Sequence, residues 1–489
     1  MAKALMVQGT CSGAGKSLLV AGLCRIFADR GVRVAPFKSQ NMALNSFVTE
    51  SGAEIGRAQA LQAEAARLTP TADMNPILLK ASGSKGCQVI VAGRVHDTMS
   101  ARAYYAFRDE AWRAVTEAYE RLCREHDLIL IEGAGSPAEI NLAREEIVNM
   151  RMARHARSPV LLVGDIDRGG VFASFMGTVA LLDGDAGRIR GFVVNKFRGD
   201  GEILRPGLDL IREKTGIPVV GVVPHVTDVG LDEEDGLSFS GHIPRGDGES
   251  LRVVVVRLPY ISNFTDFEPF RHEPDVELLF TRNRTDLLNA DLLIVPGSKN
   301  TVKDLLWLRE TGLAESIKRA AARRAMVVGI CGGYQMLGRT IRDPLGVESE
   351  VGEARGVGLL DVETEIQPEK VTAQCEGHSN LFGSACAVRG YEIHMGKSTG
   401  EVGLFTLRRL SDGRSFPDGS QKGSAWGTYL HGIFDGDQFR AAMLDVLRRE
   451  KGLPPREPVA FREVRERNMQ RWARRLEESL DMDFIGGLL

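Results

Sequence analysis

The chain lacks any excess of basic charge: 62 Lys and Arg stand against 65 Asp and Glu, a formal net charge of −3. It therefore offers no cationic footprint for a nucleic acid, which clustered Lys and Arg would have to grip. No apolar run approaches the roughly 20 residues needed to span a bilayer, so no membrane partner is expected. Nothing resembling a basic region, apolar core and cleavage site precedes the strand-like Ala4–Val7, so no leader is expected either. The seven cysteines, at 11, 24, 87, 123, 331, 375 and 386, include no Cys-x-x-Cys pair. An odd set without framework spacing argues for reduced thiols in a cytoplasmic compartment. No internal repeat or low-complexity segment is visible. What is present is 489 residues, 43% apolar and 26% charged, the profile of a globular chain with ample core and room for two to four domains.

The most pointed stretch is Val327–Leu337, where a β-branched run reaches Gly329-Ile330, then Cys331, then two glycines and a helical pattern. This reads as a strand turning sharply into a helix with a thiol at the apex, the local geometry of a nucleophile elbow. The positive end of the following helix favours the thiolate. A buried cysteine closing an ordinary strand is the competing reading, and the three surrounding glycines weigh against it.

At the other end, strand-like residues 4–8 lead into Gly9-Thr10-Cys11-Ser12-Gly13-Ala14-Gly15-Lys16-Ser17 and a helix that stops at Gly31. Strand, glycine-rich loop and helix are the setting of a phosphate-binding loop, here one residue longer than the usual spacing. Backbone N–H groups would cradle phosphate oxygens, Lys16 would reach the outer phosphates, and Ser17 would ligate Mg²⁺. Asp127–Ile131 is a buried strand delivering Glu132, the acidic strand-end position that holds Mg²⁺ beside such a loop. A helix-capping role for Glu132 is the bland alternative. Further strands near 32–37, 159–163, 191–196 and 217–223 alternate with helices, which predicts a doubly wound parallel sheet. Asn195 at a strand end is a candidate base-recognition position. The polar loop 38–46 leaves a strand end where α/β proteins place ligand contacts, although a solvated capped loop reads equally well in isolation.

A Gly/Pro/polar stretch at 240–250 marks a domain boundary. We expect a phosphate-loop domain over 1–240, a linker over 241–250, a second α/β domain over 251–445 and a helical tail over 446–489. The stretch 261–270 precedes a strand at 291–295 that runs into Pro296-Gly297-Ser298. The Gly297 and Gly332 amides are placed to form an oxyanion hole. His431, before a glycine turn, is the natural base for Cys331, preferred over His394. The amphipathic C-terminal helix, with Phe461, Val464, Trp472, Leu476 and Leu480 on one face, reads as packing without chemistry.

The second domain resembles class I glutamine amidotransferases in 296–298, in Gly-Ile-Cys-Gly-Gly-Tyr-Gln at 329–335, and in its late histidine. The first resembles dethiobiotin synthetase in its longer phosphate loop. In this order, the pair is similar to the cobalamin-pathway amidotransferases. The motifs at 38–46, 54–59, 132–141, 164–170 and 195–200 match the branch that acts on a diamide corrinoid.

The resemblance implies an ATP- and glutamine-dependent amidation of four carboxylates of adenosylcobyrinic acid a,c-diamide, through a Cys331 thioester and an acyl phosphate. It implies ATP contacts at Gly9, Thr10, Gly13, Gly15, Lys16, Ser17 and Asn195, with Mg²⁺ on Ser17 and Glu132. Glu54 is a further metal candidate on position alone, and Lys38, Gln40, Asn41, Asn45, Asn141 and Glu146 are corrinoid candidates. The implied partners are the corrinoid, glutamine and ATP, with a homo-oligomer allowed. One departure stands out: triad amidotransferases carry a glutamate two residues after the histidine, and that position is Ile433. The third member is then absent or comes from elsewhere, and the expectation is a working Cys–His dyad. Two other readings compete, a related enzyme amidating a different pair of carboxylates and a phosphate-loop switch with a degenerate glutaminase partner.

Overall fold

The computed structural model describes residues 2–81, 86–142, 146–226, 229–231, 250–383 and 385–489. The chain divides into two compact units: one holds Met1–Ala43, Glu54–Asp235 and Arg465–Leu489, the other Leu44–Ala53 and Gly236–Val464. The units are therefore interleaved along the chain, where the sequence predicts contiguous domains. Most of the expected linker, 241–249, lies outside the described residues.

The first unit is built on six strands: β1 (Lys3–Gly9), β2 (Val34–Phe37), β3 (Leu128–Glu132), β4 (Val160–Asp165), β5 (Ile189–Phe197) and β6 (Val219–Pro224). They lie in the order β6-β5-β4-β1-β3-β2, and every pairing is parallel. The near-unbroken apolar strands follow from burial on both faces, with Leu5, Val7, Leu130, Leu161, Val163 and Val193 in one core and Met6, Ile131, Leu162 and Val194 in the other. The chain starts in the middle of the sheet, so the order reverses around β1. The crevice outside its carboxyl end is where such sheets hold ligands. Helix α1 (Lys16–Asp29) follows directly.

The tail of the chain returns to this unit. The long C-terminal helix spans Phe461–Ser479. Its Trp472 indole N–H donates to the Leu18 carbonyl at 2.7 Å, Arg25 of α1 pairs with Glu466, and a Cβ built on Gly22 would lie 2.6 Å from Leu476.

The second unit repeats the strand–helix logic with β7 (Leu251–Val256), β8 (Val276–Thr281), β9 (Leu292–Val295), β10 (Met326–Ile330), β11 (Ser420–Lys422) and β12 (Ala425–Thr428). The order is β8-β7-β9-β10-β12-β11, parallel except for β11. Helix α2 (Gly332–Leu337) leaves β10. A long antiparallel ribbon, Val362–Ser379 with Cys386–Gly400, flanks this sheet. Residues 44–53 join the same unit through Ser46 N–H on Asn263 and the Tyr391 hydroxyl on the Ser46 carbonyl. Among the described residues no helix is long and apolar enough to cross a membrane.

Candidate active sites

In the second unit, Cys331 sits at the carboxyl end of β10 with φ 51° and ψ −108°, a sparsely populated backbone conformation. Such a residue costs on the order of 1–3 kcal/mol and persists only where its surroundings enforce it. The enforcement is visible at Gly333, where an added Cβ would lie 1.8 Å from the Val295 carbonyl oxygen. The turn is tight because α2 packs directly onto the end of β9. The thiol is buried, with Sγ 3.6 Å from the Ile393 carbonyl.

His431 is buried against it. Its Nδ1–H donates to Asp266 Oδ2 at 2.6 Å, and the Gly432 N–H donates to Asp266 Oδ1 at 3.1 Å. The second ring nitrogen lies 3.5 Å from Asn263 Nδ2, and Tyr391 stacks on the ring at 5.3 Å between centroids. Burial alone would depress the imidazole pKa. The Asp266 carboxylate and the Cys331 side chain outweigh it and raise the value to about 10. The arrangement sets a protonated imidazole, held by a carboxylate, beside the Cys331 side chain.

Asp266 stands where a third member of the Cys–His pair would, supplied from elsewhere in the chain. The third group comes from a 3₁₀ segment, Phe264–His272, far upstream of the histidine. Its signal in the sequence is two polar residues, Asn263 and Asp266, set among Phe264, Phe267 and Phe270. A polar group buried among aromatics needs a partner.

The other elements fall around this relay. A Cβ built on Gly297 would meet His431 Cε1 at 3.0 Å, and one on Gly332 would meet the Ser298 nitrogen at 2.9 Å. The 296–298 loop is thus beside both His431 and Gly332. His394 belongs to a different cluster, with Nε2 3.1 Å from Glu392, which also pairs with Arg409.

In the first unit, the loop after β1 borders a cavity of about 580 Å³. Gly15 caps α1 with φ 95°, and a Cβ there would lie 2.1 Å from Asn195 Nδ2, so both conformation and space demand glycine. Gly13, Gly15, Lys16, Ser17 and Asn195 line the cavity. Gly9 closes β1 behind the loop, and the Thr10 N–H donates to the Val163 carbonyl. Asn195 donates to the Ala14 carbonyl at 2.8 Å and accepts from the Lys196 N–H, so it braces the loop.

Glu132, fully buried at the end of β3, is the electrostatic centre. Its carboxylate accepts from Ser17 Oγ at 2.9 Å, Lys38 Nζ at 2.8 Å and Gln59 Nε2 at 3.4 Å, and also from Gln62. A buried carboxylate is tolerable only with such pairing. Lys38, a corrinoid candidate in the sequence, places its ammonium against Glu132 and also lines the cavity. Gln40 accepts from the Tyr104 hydroxyl and Asn41 donates to Gln59, and both line the cavity.

Other candidates are not brought together with them. Glu54 is buried in an ion pair with Lys80 at 2.7 Å and does not line the cavity. Asn45 belongs to the other unit, and Asn141 is exposed and off the cavity wall. Glu146 does line it, but its carboxylate accepts the N–H groups of Val148, Asn149 and Arg151. It shapes the start of the helix at Met150 and leaves little acceptor capacity for a ligand.

Among the described residues no group of three or more His, Cys, Asp or Glu forms a metal site. Ser17 and Glu132 fit a Mg²⁺ held largely by phosphate oxygens and water, because this ion takes one or two protein ligands in such sites.

Comparison with known proteins covers both units. Residues 5–239 match the CobQ/CobB/MinD/ParA nucleotide binding domain, and residues 252–439 match the CobB/CobQ-like glutamine amidotransferase domain. Cobyric acid synthase of Thermodesulfovibrio yellowstonii is 46% identical, with 99% of each chain covered. That of Desulfitobacterium hafniense is 48% identical over 99% of this chain and 97% of its own. That of Sorangium cellulosum is 49% identical over 99% and 98%.

Proposed function

The chain belongs to the cobyric acid synthase family, and on that premise we propose that it amidates side chains b, d, e and g of adenosylcobyrinic acid a,c-diamide, giving adenosylcobyric acid. It is a glutamine-hydrolysing carbon–nitrogen ligase that uses ATP. The observation carrying the proposal is that one chain holds both a buried thiol–imidazole–carboxylate relay and a phosphate loop facing a strand-end carboxylate.

In the proposed mechanism Cys331 Sγ attacks the glutamine carboxamide carbon, and the Gly297 and Gly332 amides take up the developing oxyanion. His431 takes the proton of the Cys331 thiol and passes it to the departing ammonia, leaving a thioester. The same ring then takes a proton from water as the thioester is hydrolysed to glutamate, and returns it to the Cys331 sulfur. Asp266 holds the ring's Nδ1–H, keeping Nε2 available for both transfers. In the first unit the γ-phosphoryl group of ATP passes to a corrinoid carboxylate. Lys16 stabilises the charge developing on the transferred group. Ammonia displaces phosphate from the acyl phosphate. Ser17 and Glu132 would hold Mg²⁺, which supplies charge neutralisation to the phosphates. The cytoplasmic setting belongs to the same proposal and is supported by the seven free cysteines.

Mass spectrometry of the corrinoid after incubation with Mg²⁺-ATP and glutamine tests the assignment. Four carboxylates converted to amides are expected. An unchanged diamide, with conversion of the a and c carboxylates of its precursor instead, would move the chain to the related diamide-forming activity.

A further inference from the structure

We propose that Trp472, on the C-terminal helix, forms the wall against which the base of the bound nucleotide rests. The proposal deepens the reading of the first unit's cavity as the ATP site and rests on it. The cavity wall has two chemically different regions. One carries Glu132, Lys38, Gln40, Asn41 and Tyr104, a hydrogen-bonded polar set suited to carboxylates and phosphate. The other carries Pro224, Val226, Val229 and Trp472, which suit a flat heteroaromatic ring. Val226, Val229 and Trp472 also share the wall of a second depression, so they adjoin one another.

The strand-end residue expected to read the base already has half of its amide committed. Asn195 uses one N–H on Ala14 and one lone pair on Lys196, both holding the phosphate loop and the strand end in place, which leaves one donor and one lone pair. Apolar and aromatic contact then adds to what this remainder can give, and Trp472 is the largest such group on that side. It is also fixed in place: its N–H is tied to Leu18, near the start of α1, while Arg25–Glu466 and Arg465–Glu64 pin the helix about two turns before it. A preorganised aromatic wall loses little freedom when a ligand arrives. On this account the C-terminal segment is part of the nucleotide site.

Calorimetric titration of the full-length protein with a non-hydrolysable ATP analogue and, separately, with inorganic tripolyphosphate tests this. Trp472→Ala should weaken the analogue about tenfold, the size of a lost aromatic–base contact, and leave tripolyphosphate unchanged. Trp472→Phe should keep most of the analogue affinity. Equal loss for both ligands would show that Trp472 only braces α1 and would overturn the proposal, as would no loss for either. A wild-type protein that binds neither ligand would overturn the ATP-site reading itself.

Discussion

Two strand ends in this molecule look alike in outline and differ in where they hold their strain. Each is a buried parallel strand that turns through glycines into a helix. At the phosphate loop the unusual backbone falls on glycines, Gly13 and Gly15, and the reactive side chains Lys16 and Ser17 stand on an ordinary helical turn. At the thiol elbow the unusual backbone falls on Cys331 itself. A loop that cradles a large anion needs N–H groups converging on open space. A nucleophile needs one atom projected clear of its strand. Charge is handled differently too. Glu132 is surrounded by several donors, whereas His431 depends on a single carboxylate.

Breaking the first site should have the largest effect. Glu132→Gln removes the strand-end carboxylate that accepts from Ser17 and Lys38. Amidation should fall by at least about 10³-fold whether glutamine or free ammonia is the nitrogen source, as read by corrinoid amide formation. Normal ammonia-dependent activity in this variant would remove Glu132 from the chemistry.

Asp266→Asn sharpens the comparison, because it alters one charge in the second site and little volume. Glutamine hydrolysis should drop by about 10²- to 10⁴-fold, the range seen when a histidine loses its orienting carboxylate, with ammonia-dependent amidation kept. An unchanged glutaminase rate would restore the dyad expected from the sequence.

The smallest effect concerns stability and pH. His431 is held at about 10, above the roughly 6.5 of an unfolded histidine. The protonated ring therefore contributes stability that is whole below about pH 6.5, declines as pH rises, and is gone above about 10. Urea midpoints measured from about pH 6 to about pH 9 should fall more steeply in the wild type than in Asp266→Asn. Parallel curves would show that Asp266 does not hold the proton.

What could be read from sequence was what is local. The elbow at 329–333 and the loop at 9–17 are runs whose glycines, strand and helix lie within a few residues of each other. Asp266 lies in the stretch 261–270, to which the sequence gives no role, because 165 positions separate it from His431 and only the fold brings them together. The polar run 38–46 reads as one loop, yet Lys38, Gln40 and Asn41 stay with the first unit while Asn45 belongs to the second. Glu54 looked like a metal ligand by position, and a lysine 26 residues on takes its carboxylate. Trp472 reads as an apolar-face residue, which it is. Only the fold shows that this face also borders a cavity.

The central claim is that one chain makes ammonia at Cys331 and uses it at the phosphate-loop site. Amide formation by Cys331→Ala, assayed side by side with glutamine and with ammonium, tests it most directly. No activity with glutamine and near wild-type activity with ammonium are expected. Loss with both nitrogen sources, in a variant that still folds and binds nucleotide, would contradict it.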